Sequence, residues 1–484
     1  MSSRWSIRTG FITSGNPYNG IAVPGAGVPN DAAGHFGVFG QELTAQNIAS
    51  INQELQQDGM ARGLPLAIVG TQYHNFQPRL GFAWDPTGSG KSSIRAGAGI
   101  FYNHNTLSDV TLEGGTTPYQ LASAVFAGKA DCPGLSLDSM RNCLTSGATA
   151  PQLPIPMTGS DMTNDIPVVY AWNFTLEHMF FNDTLVSVGY VGNRGRHLPI
   201  NADLNQPAIG TFTNPANANI NQDVLRPYPG IGGAMTTLQE ANSKYDGLQV
   251  SVQRRLAKGL QYNVAYTYSK AFDMADSIYS VVTDTYNPKY NWQVASFNQT
   301  HNLIFTWIYE LPFARHASSR LGKAVGGWMI SGDLALVSGF WGTPTQSADV
   351  LGNGVTGIGG TEYAYVNPGC HYRGNRSVTQ FFNTSCFYYP GTTTPIVPSV
   401  STLAGTVAPN AIEGPGTDNL DFALLKSGPV WGERLKYQFR AEFFNVLNHP
   451  SFNYVDTGVT DSTFGYVDGV GSARNIQLAF KLTF

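Results

Sequence analysis

Charged side chains are scarce in this chain. Of its 484 residues only 12% are Asp, Glu, Lys or Arg, against roughly 25% in an average soluble domain. A net charge of −4 leaves no basic stripe, which excludes nucleic acid as a partner. Long apolar runs are missing too. No window approaches the roughly 18 consecutive apolar residues of a membrane helix, so any crossing of a bilayer must be made by strands, and an open sheet cannot do so with bare edges. Helical periodicity appears only within residues 41–60, where Leu43, Ile48, Ile51 and Leu55 predict one short amphipathic helix packed on a loop. The start, Met1-Ser2-Ser3-Arg4-Trp5-Ser6-Ile7-Arg8, lacks the continuous apolar stretch of a secretory signal.

Two-residue alternation is abundant. Ile476, Leu478, Phe480, Leu482 and Phe484 share one face of the last strand, opposite Gln477, Ala479, Lys481 and Thr483. Chain ends of soluble domains usually fray into water, so a bulky apolar face here calls for a different solvent. Tyr262, Val264, Tyr266 and Tyr268 alternate with Asn263, Ala265, Thr267 and Ser269, and Leu248, Val250 and Val252 alternate with Gln249, Ser251 and Gln253. Trp172/Phe174/Leu176, Leu303/Phe305/Trp307/Tyr309, Leu420/Phe422/Leu424 and Tyr437/Phe439/Ala441/Phe443 repeat the pattern. Side chains of a strand point alternately to opposite faces, so this gives one face for lipid and one for a lumen. A β-sandwich also alternates.

The connections decide against the sandwich. Short ones (85–91, 181–183, 256–259, 312–326, 427–433) take turns with long ones (103–167, 192–244, 270–299, 341–418, 448–473). Structureless loops beyond about 15 residues are uncommon in compact domains, whereas membrane barrels pair short periplasmic turns with long outer loops. The expected fold is therefore all-β, a partial antiparallel up-and-down transmembrane β-barrel of about 11–12 strands with long extracellular loops. Eleven strands run from about Arg79 onward, and Trp5 to Ile12 is a candidate twelfth. Residues 1–78 would hold that strand, an outer loop and the short helix; residues 79–484 would form the barrel. Trp84, Tyr102, Tyr190, Tyr268, Tyr309 and Trp328 fall near strand ends, as an aromatic girdle would.

Four cysteines occur as two local pairs in outer loops, Cys132 with Cys143 and Cys370 with Cys386. An even number confined to loops predicts two disulfides, with four free thiols as the alternative. No C-x-x-C or H-E-x-x-H spacing predicts a metal, and no cofactor motif survives scrutiny. Gly88-Ser89-Gly90-Lys91-Ser92 has Asp85 where a phosphate loop needs glycine, and a strand follows it instead of a helix. Gly352-Asn353-Gly354-Val355-Thr356-Gly357 matches the dinucleotide fingerprint by letter only, without strand-turn-helix context. Asp273 and Asp276 are placed in a long loop, as a solvated turn or a weak cation contact. No catalytic residues are assigned. Arg79, Arg95, Glu177, Arg255, Arg440, Glu442 and Lys481 fall on lumen-facing positions; they either contact a plug or substrate, or pair with one another across strands.

Several phrases carry a family resemblance. They are Asn75-Phe76-Gln77-Pro78-Arg79-Leu80-Gly81-Phe82-Ala83-Trp84-Asp85, Ile94-Arg95-Ala96-Gly97-Ala98-Gly99-Ile100-Phe101-Tyr102, Ser243-Lys244-Tyr245-Asp246-Gly247-Leu248-Gln249 and Tyr266-Thr267-Tyr268-Ser269-Lys270. Phe439-Arg440-Ala441-Glu442-Phe443-Phe444-Asn445-Val446-Leu447-Asn448-His449-Pro450 and the terminal strand complete the set. In this order they resemble the C-terminal barrel of the Oar-like TonB-dependent outer-membrane transporters. That resemblance implies an outer-membrane location, lipid around the barrel, a transported substrate of unknown kind, and contact with TonB only through a plug and coupling segment not seen here. It further implies that Leu478, Phe480, Leu482 and Phe484 are read by the barrel-insertion machinery. The expectation is the C-terminal part of a longer transporter, or a reading frame begun at an internal Met. A passive porin-like channel and a β-sheet surface adhesion module are the rivals.

Overall fold

A computed structural model of the chain describes residues 73–103, 155–160, 165–227, 231–277, 279–313, 326–388, 406–431 and 434–484, with a few isolated positions besides. The candidate strand at Trp5 to Ile12, and Cys132 and Cys143, lie outside these residues; of the short helix within 41–60 only the isolated helical positions Gln46, Ala49 and Gln53 are described, and Leu43, Ile48, Ile51 and Leu55 lie outside.

Eleven strands form one meander in sequence order. They are β1 (Arg79–Trp84), β2 (Ser92–Tyr102), β3 (Val168–Phe180), β4 (Thr184–Asp203), β5 (Ile231–Ala257), β6 (Leu260–Asp273), β7 (His301–Glu310), β8 (Trp328–Val337), β9 (Thr417–Trp431), β10 (Leu435–Phe444) and β11 (Asn475–Thr483). Each neighbour pair is antiparallel. Among the described residues β1 pairs only with β2 and β11 only with β10, so the sheet is open. No described helix is long and apolar enough to cross a membrane.

Tight turns at one end explain how neighbours stay in register. Phe181 and Asn182 (φ 50° and 61°) join β3 to β4, and Lys258 and Gly259 (φ 52° and 81°) join β5 to β6. Two successive residues at positive φ are the turn whose twist matches that of the flanking strands. The tilted rows this produces keep chemistry sorted by face. One row runs Trp172, Gly192, Asp246, Lys270; the next runs Phe174, Tyr190, Leu248, Tyr268, His301. Val188, Val250, Tyr266, Leu303 and Leu336 follow. At the far side Phe422 faces Phe443, which faces Ile476, and Phe439 faces Phe480. The apolar face is thus continuous across all eleven strands, and a slip of one residue at any pair would break it. The opposite face carries Ser187, Ser251, Gln253, Asn263, Thr306, Asp333, Asp421 and Glu442.

The long connections are less irregular than their composition predicts. Sequence alternation stops near Gly192 and Lys244, yet β4 continues to Asp203 and β5 begins at Ile231, and these extensions pair with each other through two register shifts. A barrel crosses the bilayer with about 9–11 residues per strand. Strands of 20 and 27 residues therefore project far into the medium beyond it. Ile155–Ser160 adds a parallel partner to the projecting part of β5.

The buried core lies out there, not in the wall. Ile200, Ala202, Leu238, Ala241, Met274 and Val282 form one cluster on the projecting strands. Tyr363, Ala364, Phe382, Cys386, Phe387, Val407 and Ile412 form a second, joined by Tyr290, Val455 and Phe464 from the loops before β7 and β11. The expectation of unstructured loops at 192–244 and 341–418 is corrected accordingly. The short hairpin Arg373–Ser377 with Gln380–Phe382 organises the longest of them, and Phe452–Val455 with Val467–Val470 does the same in the connection 448–473. Their apolar residues have water on every side, so they bury their surface against one another.

Candidate functional site

The polar face of the sheet is the first part of the site. Arg95 Nη2 lies 3.5 Å from Glu177 Oε2 across β2 and β3, and its Nε donates to Ser93 Oγ at 3.0 Å. Arg440 is bonded to Glu442 two residues along β10. Arg79 stacks over the Phe101 ring at 4.8 Å. Lys481, opposite Gln438, is exposed. Arg255 sits at the periplasmic turn, exposed, with its backbone N–H donating to Asp183 O at 2.9 Å. Of these charges the structure brings two pairs together and leaves the other three apart.

An acidic pair on this face is not signalled by any motif. Asp333 on β8 stands directly opposite Asp421 on β9. Asp421 accepts from Asn419 Nδ2 at 2.9 Å and from the Asn445 amide at 2.8 Å. With Asn263, Thr306 and Glu442 they line one concavity of the wall. Register across three strands brings them together, which spacing along the chain cannot reveal.

The cap above the wall is the second part. Cys370 and Cys386 are joined with Cα atoms 5.5 Å apart, and Cys386 belongs to the larger buried cluster. Glu362 is fully buried. It accepts from the Val350 amide at 2.8 Å and the Leu351 amide at 3.1 Å. Burial, reinforced by the neighbouring Asp349 carboxyl, pushes its pKa up to about 8. Asp349 in turn holds the amides of Asn353 and Gly354 at 3.2 and 3.0 Å. Asp203 at the tip of β4 accepts from the amides of Asn205 and Ala234 at 2.8 and 2.7 Å and pairs with Arg226 at 3.2 Å. Asp273 closes β6 in a buried position and is not in a solvated turn. The neighbouring Asp276 accepts from the Ser296 amide at 2.9 Å.

The two glycine-rich stretches are occupied by their own chain. In the turn after β1, the Asp85 carboxylate accepts from the amides of Gly90 and Thr87 at 2.6 and 3.0 Å. The amides that would cradle a phosphate are used, and those bonds hold the Asp85 pKa below the usual carboxylate range. Gly352 and Gly354 take φ of 62° and 72° in a loop ahead of the single 3-10 turn Val355–Ile358. Among the described residues no three His, Cys, Asp or Glu side chains gather as a metal site.

The apolar face supplies the boundary. Trp84, Tyr309 and Trp328 lie at the periplasmic ends of β1, β7 and β8, and Tyr102 lies at the outer end of β2. Tyr190 and Tyr268 share an outer row with Leu248 between them. Tyr170, Phe272 and Trp292 extend the aromatic rim beyond that row, the last two rings stacked at 6.0 Å. They were missed because alternation gives a face but no height. Leu478, Phe480 and Leu482 stand outward on β11, and Phe484 follows fully exposed.

Known proteins can now be compared. The solved outer membrane transporter YddB from Escherichia coli is similar over 85% of this chain and 41% of its own, at 11% identity and a TM-score of 0.44. The pyoverdine outer membrane receptor FpvA from Pseudomonas aeruginosa, bound to pyoverdine, matches 84% of this chain and 36% of its own, with 10% identity and a TM-score of 0.39. BauA, the ferric preacinetobactin receptor from Acinetobacter baumannii, covers the same shares at 10% identity and a TM-score of 0.38. This chain thus spans about two fifths or less of the length of these structures. No curated protein matches it significantly. The model of the outer membrane beta barrel domain matches residues 24–477. An alternating chain whose apolar face runs unbroken over eleven strands, and which that family's model spans nearly end to end, belongs to the outer membrane beta barrel family and resides in the outer membrane.

Proposed function

We propose that this chain forms part of the wall and outer cap of a TonB-dependent transporter of the Oar-like kind. The polar face carries this reading. Small residues recur there: Gly97 and Gly189 stand opposite Asn173, Thr175 and Gln249, Ser251 lies between Ser187 and Ala265, and Ser331 faces Ala423, with Ile304 and Ile308 the two bulky apolar neighbours of this stretch. Barrels of about eight strands are filled by their own side chains and wider ones are not; this lumen face, rich in Gly, Ala and Ser, suits the wider kind. A wide lumen with small polar walls suits passage of a solute past a plug. The cap, with its own apolar cores and disulfide, provides a shaped surface over the entrance on which a substrate can be captured. Asp333 and Asp421 mark where the lumen wall would favour a cation or a hydrogen-bond donor.

A passive channel would share this wall, so the test addresses energy coupling. Asn263→Cys places a thiol on the lumen face. In cells, its labelling by a membrane-impermeant maleimide is expected to fall when a protonophore collapses the proton gradient or when TonB is deleted. Labelling that is indifferent to both would establish the passive channel instead.

A further inference from the structure

We propose that the outer ends of β4, β5 and β6 form a binding site for the phosphate groups of an outer-leaflet glycolipid. This rests on the outer-membrane location and is independent of the transport reading. Above the apolar row of Tyr190, Leu248 and Tyr268, the outward positions change character abruptly. The next row holds Gly192, Asp246 and Lys270, and the one beyond holds Tyr170, Arg194, Lys244 and Phe272. Arg196, one outward step further along β4, is opposite Val168. Arg194, Lys244 and Lys270 therefore surround the one carboxylate of Asp246 on the lipid-facing side, and Arg196 adds a fourth cation further out, next to His197, which pairs with Asp165 at 3.5 Å.

Their height fits a headgroup. Lys270 lies two residues, and Arg194 and Lys244 four residues, beyond the last apolar row, about 7–13 Å along the strand, or roughly 5–10 Å in height at a tilt of about 40°. The polar layer on each side of the hydrocarbon core is about 5–8 Å deep. Their chemistry fits phosphate. Asp246 gathers the cations: Arg194 Nη2 lies 3.1 Å from Oδ1, Lys244 Nζ lies 3.3 Å from Oδ2, and Tyr190 Oη donates to Oδ1 at 2.6 Å. The Arg194 guanidinium stacks over Trp172 at 5.1 Å, and Lys270 Nζ lies over Phe272 at 5.5 Å. One carboxylate cannot neutralise the three cations around it; Arg194 is fixed by Nη1 donating to Asn193 O and Tyr245 O at 2.6 and 3.1 Å and by Nη2 donating to Asp246, so it contributes its charge while Lys244 and Lys270 supply the ammonium donors for a phosphate. A lipid, not a soluble anion, is the occupant because the patch continues directly into Val188, Leu248 and Val250, along which acyl chains would lie.

The experiment compares variants of the protein in phosphatidylcholine nanodiscs doped with diphosphorylated lipid A, reading retained lipid by native mass spectrometry. Wild type should retain lipid A in preference to phosphatidylcholine. Arg194→Gln and Lys270→Gln should each lower that retention about fivefold, as expected for one surface cation. Asp246→Asn removes the competing carboxylate and should raise it, an opposite sign that a merely structural role would not produce. Lys91→Gln, at the periplasmic turn, should leave it unchanged. Equal retention by the charge-removed variants, or a loss in Asp246→Asn, would overturn the proposal. Complete displacement of lipid A by inorganic phosphate would also overturn it and identify a soluble-anion site.

Discussion

Arginine at position 250 should destabilise the protein far more than arginine at position 251. Val250 lies between Val188 and Tyr266 on the outward face, and Ser251 lies between Ser187 and Ala265 on the lumen face. Both side chains are half-buried in the bare protein, so exposure alone predicts no difference. What differs is the medium. On the outward face of β5, Val250 is midway between two charges, Arg254 and Asp246, each four residues away. Their separation of eight residues is about 26 Å along the strand, or about 20 Å of height at a tilt of roughly 40°, close to the ~25 Å apolar band of such barrels. Val250 is therefore near the midplane, where arginine costs about 2–4 kcal/mol. At Ser251 the guanidinium would meet lumen water with Gln249 and Gln253 on the same face, and the cost should stay below ~1 kcal/mol. The differential of about 1–4 kcal/mol corresponds to roughly fivefold to several-hundred-fold in the folding equilibrium. Reversible urea unfolding from phosphatidylcholine vesicles, followed by tryptophan fluorescence and gel mobility, measures it. Equal losses at the two positions would refute the assignment of faces.

Four further outcomes follow from the geometry. Cys386→Ser should weaken the outer cap by about 3 kcal/mol, the chain-entropy value for a loop closed over a separation of 16 residues, and limited proteolysis should then cut the cap while the wall persists. Glu362 has its pKa raised from 4.5 to about 8, so the fold holds a proton that the unfolded chain loses. The cap is then most stable at low pH and loses stability as pH rises from about 4.5 to about 8; hydrogen-exchange protection at Val350 and Leu351 should fall across that window, and constant protection would contradict it. Gly339→Ala would place a Cβ 2.1 Å from the Gly414 carbonyl oxygen, a backbone clash that should cost about 1–3 kcal/mol in thermal unfolding. Deleting Phe484, which has no packing to lose, should leave unfolding in detergent unchanged but lower the yield inserted into outer membranes.

The local requirements of this fold are written in the chain. Alternation at Tyr262 to Tyr268 and at Ile476 to Phe484 sets strand and face residue by residue, because pleating is a property of the backbone alone. The turns of short connections also depend only on neighbours, as at Lys258-Gly259, so strand count and parity were legible before any coordinates. The cap was not. Its strands read as loops because residues such as Ile200 and Leu238 find their apolar partners tens of positions away, and no two-residue period is needed where both faces are buried. The acidic pair Asp333 and Asp421, the cation patch around Asp246 and the raised pKa of Glu362 have the same origin. Each joins residues from different strands or loops, and the register and loop packing that bring them together are set by the whole sheet. Sequence therefore determined which face of every strand meets lipid, while tertiary structure decided which charges stand beside one another, since proximity across strands is a consequence of pairing and not of spacing along the chain.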